Sequence, residues 1–205
     1  MTLTSNHKIW SFFDLDGTLI KKDSYLPFLF KWKLKHRQRI LPLLVIPLKL
    51  FNFYTKNKDK AYLKEAFLSA FMKGAKKSDV DRFVKDFWIR FLIKNQNDVL
   101  VNKLRWHFNK GHCVYIVTAS FDFYTEHLKN IWPINGVIAT RAEWSGDLLT
   151  GKIFGKNCKG KEKKVRIENE LGIKLCNVEY YAYTDSHSDY HLLKNAKFPV
   201  FIKNT

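Results

Sequence analysis

Acidic residues are scarce in this chain: 19 Asp and Glu stand against 36 Lys and Arg over 205 residues, leaving a formal charge of +17. Such a surface attracts polyanions, and nucleic acid, anionic lipid or a phosphorylated substrate would each satisfy it. No homeodomain, zinc-finger or RRM signature gives that charge a recognition geometry, so specific nucleic-acid binding is not expected. Cysteine is scarce too. Cys113, Cys158 and Cys176 are an odd set without C-x-x-C spacing, which argues against a disulfide framework or a zinc knuckle, and Cys113 reads as core at a strand start. An apolar leader is lacking, because residues 1–8 are polar; no signal peptide and a cytoplasmic location are the expectation. A membrane-length run is lacking as well. The most apolar stretch, residues 40–48, contains Pro42 and Pro47 and falls well short of the roughly 20 residues of a spanning helix. Repeats and low-complexity segments are absent.

What is present is a series of short apolar runs that end in reactive groups. Residues 9–13 are β-branched and aromatic, as a fully buried parallel strand is, and Asp14-Leu15-Asp16-Gly17-Thr18-Leu19 follows where such a strand runs out. Open α/β sheets bind ligands at those carboxyl ends. Period two places Asp14 and Asp16 on one side of an extended chain, and Gly17 breaks the strand, so both carboxylates can turn into a crevice. Carboxylates this close imply a divalent metal, or an acid and a base whose environments push their pKa values apart. A solvated Asp-x-Asp-Gly turn is the plain alternative. A second buried-type run, residues 114–117, leads into Thr118-Ala119-Ser120, whose hydroxyls and amides suit a phosphate oxygen. A third, residues 180–183, leads into Thr184-Asp185-Ser186-His187-Ser188-Asp189, and the lysine-rich helix start at 158–164 lies between them.

Carboxylates, hydroxyl, lysine and carboxylates in that order resemble the haloacid dehalogenase superfamily, whose four motifs are D-x-D-G-T, Thr or Ser, Lys, and an acidic pair. The resemblance covers residues 8–20 and 110–202. The element formed by Cys158, Gly160 and Lys163 and the run Tyr183-Thr184-Asp185-Ser186 are most similar to subfamily IB, which contains phosphoserine phosphatases and C-type phosphatidylglycerophosphatases. The resemblance implies an α/β fold, with a Rossmann-like core built on a parallel sheet from residues 1–20 and 110–205, and a helical C1 cap at 21–109 inserted after the first strand. It implies a Mg²⁺-dependent phosphatase. Asp14 would be the nucleophile that forms an aspartyl-phosphate, and Asp16 the acid that protonates the leaving oxygen and then activates water. Thr118, the Ala119 amide and Lys163 would bind phosphate, with Lys161 and Lys164 as competing choices for the lysine. Mg²⁺ would take Asp14, the main-chain carbonyl of Asp16, and Asp185, while Asp189 would orient the lysine or a metal water. Asp23 falls where phosphoserine phosphatases carry an acid for the substrate ammonium, although a helix cap is the plain reading. Ser188 and the Tyr190-His191 pair depart from the family pattern. His187 and His191 could ligate zinc from a helix, but no third ligand is evident.

The insert reads as helical, with apolar periodicity over 59–71 and 80–93 and a further helix at 97–109 stopping at Gly111. Residues 27–54 combine an apolar run with Lys31, Lys33, Lys35, Arg37, Arg39 and Lys49. Packing in the cap or at a dimer interface is the favoured reading, and docking on the inner face of an anionic membrane is the alternative. Residues 136–156 read as a strand and hairpin with turns at Gly146 and Gly151, and residues 198–202 as an edge strand holding Pro199. The substrate is therefore either a lipid phosphate resembling phosphatidylglycerophosphate or a small ester such as phosphoserine. A phosphotransferase, or a non-catalytic binder of membranes or nucleic acid, is the rival function.

Overall fold

The computed structural model describes residues 8–36, 46–55 and 59–203, so the polar leader and most of the apolar run at 40–48 lie outside the described residues. Strand β1 (Trp10–Phe13) is followed by helices α1 (Tyr25–Lys35), α2 (Ile46–Thr55), α3 (Lys60–Met72), α4 (Lys77–Asn95) and α5 (Asp98–Asn109) before the chain returns to β2 (Cys113–Phe121). A short helix α6 (Asp122–Thr125), β3 (Gly136–Thr140), β4 (Ala142–Ser145), β5 (Leu148–Ile153) and α7 (Lys161–Leu171) come next. The order closes with β6 (Tyr180–Thr184), α8 (Tyr190–Leu193) and β7 (Phe198–Phe201). This is the expected α/β class.

The main sheet runs β3-β2-β1-β6-β7 with every neighbour parallel, while β4 and β5 form a separate antiparallel pair. Strand order reverses direction at β1, which makes its carboxyl end the switch point where such sheets leave a crevice. Phe13 aligns with Ile116 and with Tyr183, so Asp14, Val117 and Thr184 stand abreast there. All four β1 side chains are buried and alternate between the two faces. Phe13 joins Val114, Ile116 and Tyr183 on one side, and Trp10 and Phe12 join Val117, Tyr180 and Ile167 on the other. Each phenylalanine so placed contributes roughly 1.5–3 kcal/mol, which fixes the strand whose end carries Asp14. Pro199 sits on the edge strand β7, where a missing N–H costs no ladder bond.

The helical insert shares its apolar core with the sheet. Phe28 of α1 stacks on Tyr124 at 4.7 Å, and the Trp88 indole of α4 donates to the Tyr124 carbonyl at 2.6 Å. Helix α5, capped by the Asn97 side chain, buries Val101, Leu104 and His107, and His107 Nε2 lies 2.9 Å from the Tyr183 hydroxyl. Helix α2 behaves differently. It lies along α3 yet buries none of its side chains, leaving Leu48, Phe51 and Tyr54 exposed. Interior packing of the 27–54 segment therefore rests on Phe28, Leu29 and Trp32 of α1, while α2 meets the core only through half-buried Ile46.

Two local expectations are corrected. Gly151 makes no turn; it lies inside β5 at φ +86°, where an added Cβ would stand 2.6 Å from the Ser69 Cα. That close approach presses α3 against the hairpin, and Glu65 fixes it by accepting the Ile153 amide at 2.8 Å. Thr118, Ala119 and Ser120 do not follow the second strand but belong to it, since β2 runs on to Phe121. The register with β3 shifts between Val117 and Phe121, so this stretch leaves regular pairing and faces the crevice.

Candidate active site

Asp14, directly after β1, keeps the strand path by donating its amide to the Tyr183 carbonyl at 2.8 Å. Its Oδ1 accepts from the Leu15 amide at 2.8 Å and lies 2.9 Å from the Lys163 ammonium. Helical spacing puts Lys163 on the inner face of α7 with Arg166 and Ile167, whereas Lys161 is exposed and Lys164 half-buried. Only 2 % of Lys163 is exposed, and its second partner, Asp189, lies 2.6 Å away and is 1 % exposed. Asp189 Oδ2 also accepts from the Thr184 hydroxyl at 2.9 Å, while its buried Oδ1 has no hydrogen-bond partner within the protein. Burial pushes the Asp14 carboxyl above its ordinary value, with Lys163 pulling it back and the charge of Asp189 adding to the push. For Lys163 burial acts downward, but Asp14 and Asp189 together outweigh it and hold the ammonium above its ordinary value.

Asp16 sits in a different setting. Its Oδ1 accepts the Ser24 amide at 2.7 Å and its Oδ2 the Ser120 hydroxyl at 2.6 Å, so both oxygens are held by neutral donors. Burial, then the nearby charge of Asp23, raises this carboxyl to about 6 against those two bonds. Asp23 itself caps α1, its Oδ1 accepting from the amides of Tyr25 and Leu26 at 3.0 and 3.3 Å. It is exposed and lines the crevice at the carboxyl end of β1.

The Asp14-to-Thr18 turn is shaped by Asp185, which follows β6. Gly17 has φ +78°, and an added Cβ would stand 2.1 Å from Asp185 Oδ2. The Thr18 hydroxyl donates to Asp185 Oδ1 at 3.4 Å. Gly17→Ala is therefore expected to displace the Asp185 carboxylate and lower kcat/KM by about a hundredfold, the scale of a 1 Å misplacement. The backbone cost should be only about 1–2 kcal/mol, which steady-state kinetics alongside thermal unfolding would separate.

No group of three His, Cys, Asp or Glu side chains with metal-holding spacing occurs among the described residues. His187 and His191 thus gain no further ligand, and the His187 ring lies 4.6 Å from that of Phe201. A cation at the sheet's carboxyl end would instead rely on Asp14, Asp185 and a main-chain carbonyl. That donor set fits Mg²⁺, which keeps several waters and takes a substrate oxygen.

Thr118 Oγ1 accepts the Ser120 amide at 3.0 Å, which leaves its hydroxyl proton for a ligand oxygen. Thr118, Ala119 and Ser120 line a cavity of about 770 Å³ together with Asp14, Asp16, Lys163, Asp185 and Asp189. One fold therefore gathers Asp14, Asp16, Asp23, Thr118, Ala119, Lys163, Asp185 and Asp189 around a single space, whereas Lys161, Lys164, His187 and His191 do not line it. The insert supplies Leu26, Pro27, Phe53, Leu63 and Phe67 to its lining, beside Lys22, Asp23, Lys60 and Lys64. The Ser120 hydroxyl and amide, expected on a phosphate oxygen, donate instead to Asp16 and to Thr118 Oγ1, and the sequence reading missed the Ser24 amide and Lys64, a half-buried α3 residue in this cavity that burial brings down to about 7 although Asp16 acts in the opposite direction. Ser120 was legible as the second hydroxyl of Thr118-Ala119-Ser120; Lys64 had no sequence signal beyond a lysine beside the apolar face of α3.

A sequence profile of the haloacid dehalogenase-like hydrolases matches residues 11–194. Protein CicA of Caulobacter vibrioides is 31 % identical over 184 residues, which cover 88 % of this chain and 80 % of that protein. Among solved structures, a protein of unknown function from Bordetella pertussis Tohama I superposes with a TM-score of 0.78 at 24 % identity, covering 96 % of this chain and 90 % of the other. A phospho-aspartyl intermediate analogue of phosphoserine phosphatase superposes at 0.60 with 17 % identity, over 95 % and 86 %.

Proposed function

Since the chain belongs to the haloacid dehalogenase-like hydrolases, we propose that it hydrolyses a phosphate monoester through a phosphorylated Asp14. The observation that carries this reading is the unequal setting of two carboxylates two residues apart. Asp14 shares one oxygen with a buried ammonium, whereas both oxygens of Asp16 accept hydrogen bonds from neutral donors. An ion-paired carboxylate suits the attacking group, and one held by neutral donors suits a group that carries a proton.

Lys163 and the Leu15 amide hold Asp14 Oδ1, and Oδ2, which accepts from the Thr184 hydroxyl at 3.4 Å, would be the attacking atom. Bond formation from Oδ2 to phosphorus breaks the bond to the leaving oxygen, and Asp16 gives that oxygen its proton. The carboxylate so formed then takes a proton from water attacking phosphorus, and the Asp14–phosphorus bond breaks to release phosphate. Ser24 and Ser120 keep Asp16 pointed at that path through both events. The Thr118 hydroxyl and the Ala119 amide receive the phosphoryl oxygens, and Asp189 holds Lys163 in place. Mg²⁺, held by Asp14, the Asp16 carbonyl and Asp185, would supply positive charge to those oxygens.

For the leaving group we favour an apolar, anionic body, as in a lipid phosphate. Leu26, Pro27, Phe53, Leu63 and Phe67 give the cavity an apolar patch, and Lys22, Lys60 and Lys159 line the same space. Beside it α2 exposes Leu48, Phe51 and Tyr54, and α1 exposes Leu26, Phe30 and Leu34, a surface suited to the interface of an anionic bilayer. No helix among the described residues is long and apolar enough to cross one. Phosphoserine is the second reading, favoured by Asp23, but that carboxylate already caps α1 through one oxygen. Phosphate release with Mg²⁺ from phosphatidylglycerophosphate in anionic vesicles, set against phosphoserine, tests the choice. The lipid should be preferred by at least about tenfold in kcat/KM, and Phe51→Asp should reduce the lipid rate alone. Preference for phosphoserine, lost in Asp23→Asn, would reverse the assignment.

A further inference from the structure

Lys64 reaches from α3 into the core, where it meets three acceptors. Its Nζ donates to the Ala119 carbonyl, to Asn157 Oδ1 at 3.1 Å and to Thr140 Oγ1 at 3.3 Å, and it lies 4.4 Å from the centre of the Phe121 ring. In its protonated form Lys64 has three protons, and all three are used within the protein. Lys64 is thereby committed to the core and keeps no donor for a substrate. Its site is built from both sides: Thr140 Oγ1 also donates to the Ala119 carbonyl at 2.6 Å, and the Tyr25 hydroxyl holds the Lys64 carbonyl at 2.7 Å.

The carbonyl that Lys64 grips belongs to the same peptide unit as the Ser120 amide, and that amide donates to Thr118 Oγ1. A cation on the oxygen of a peptide makes its N–H a stronger donor, because hydrogen bonds in series polarise one another. A stronger bond into Thr118 Oγ1 in turn fixes the oxygen's lone pair inward and its proton outward, toward the phosphate position. We propose that Lys64 is a positioning residue that couples the helical insert to phosphate binding through the Ala119–Ser120 peptide and the Thr118 hydroxyl. The coupling rests on the phosphatase reading of the cavity. Its consequence is that the phosphate cradle is fully formed only when α3 is seated on the core, so that docking of the insert and capture of the phosphoryl group favour each other.

The test is a double-mutant cycle read by inorganic phosphate affinity. Calorimetric titration of the full chain, with Mg²⁺ present, would compare wild type, Lys64→Met, Thr118→Val and the double variant, each with its thermal unfolding. Each single variant is expected to bind phosphate about tenfold more weakly, and the double variant no more than about twofold below Thr118→Val, because both act through one hydroxyl. Multiplying losses, near a hundredfold in the double variant, would make Lys64 independent of Thr118 and overturn the proposal, as would unchanged affinity in Lys64→Met. If Lys64→Met fails to fold, Lys64→Gln takes its place in the cycle with the same two outcomes. Turnover of p-nitrophenyl phosphate by wild type is scored separately: no hydrolysis by a protein that binds phosphate would remove the phosphatase reading, while the cycle still decides the role of Lys64.

Discussion

Asp14→Asn is expected to reduce phosphate-ester hydrolysis by at least about ten-thousand-fold, the scale of removing a nucleophile that acts as part of a unit. Asparagine keeps the shape and an oxygen for the Leu15 amide and Lys163, so the fold should survive. Near-normal thermal unfolding with absent turnover is the expected pair of results. Hydrolysis above a few per cent of wild type in clean protein would remove Asp14 as the attacking group. The loss should not be restored by a better leaving group, since the missing element is the bond-forming oxygen and not the acid. Asp16→Asn, in contrast, should lose less on an activated aryl phosphate than on an alkyl phosphate, because the aryl leaving oxygen needs less protonation.

Lys163→Met should show the largest effect on stability. Lys163 separates two carboxylates, Asp14 at 2.9 Å and Asp189 at 2.6 Å, in a site where it is almost wholly enclosed. Removing one partner of a buried pair leaves uncompensated charge and costs about 3–5 kcal/mol, here with two carboxylates left facing each other. The sign of the pH dependence follows from Asp14. Its carboxyl is already raised by burial, and loss of the ammonium removes the chief opposing influence, so its folded value rises further. A folded carboxyl with a raised pKa binds more protons than the unfolded chain, and stability then falls as pH rises through the window above about 4. The deficit of Lys163→Met relative to wild type should therefore be largest near neutrality and shrink on acidification. Denaturant melts at a series of pH values would show it, and a deficit that grows in acid would contradict the placement of Lys163 between two ionisable partners.

The sheet was legible because its central strand and the strands beside it are rich in β-branched or aromatic residues and largely buried, which is a distinctive pattern for a parallel sheet. Residues 10–13 and 180–184 illustrate it, each run ending in the Asp that lines the site. Lys163 could be chosen among its neighbours only by resemblance, and the physical reason appears in the helix: Lys163, Arg166 and Ile167 share the inner face of α7. The positions of Ser120 and Ser24 on Asp16 were not legible, because they depend on a register shift in β2 and on the start of α1, features set by tertiary contacts. Gly151 misled for a related reason. A glycine between Thr150 and Lys152 reads as a turn, whereas here it admits α3 to within contact of the strand. The apolar, basic segment at 27–54 could be read two ways because amphipathic helices suit interiors and interfaces alike. Only burial separates α1, with Phe28, Leu29 and Trp32 inside, from α2, which has no buried side chain.

The measurement closest to the central claim is an acid quench of the enzyme during turnover of a ³²P-labelled phosphate ester with Mg²⁺, followed by peptide mapping. A hydroxylamine-sensitive label on the peptide carrying Asp14, missing from Asp14→Asn, is the predicted result. Steady hydrolysis with no labelled protein at any time point, or label on another residue, would contradict it.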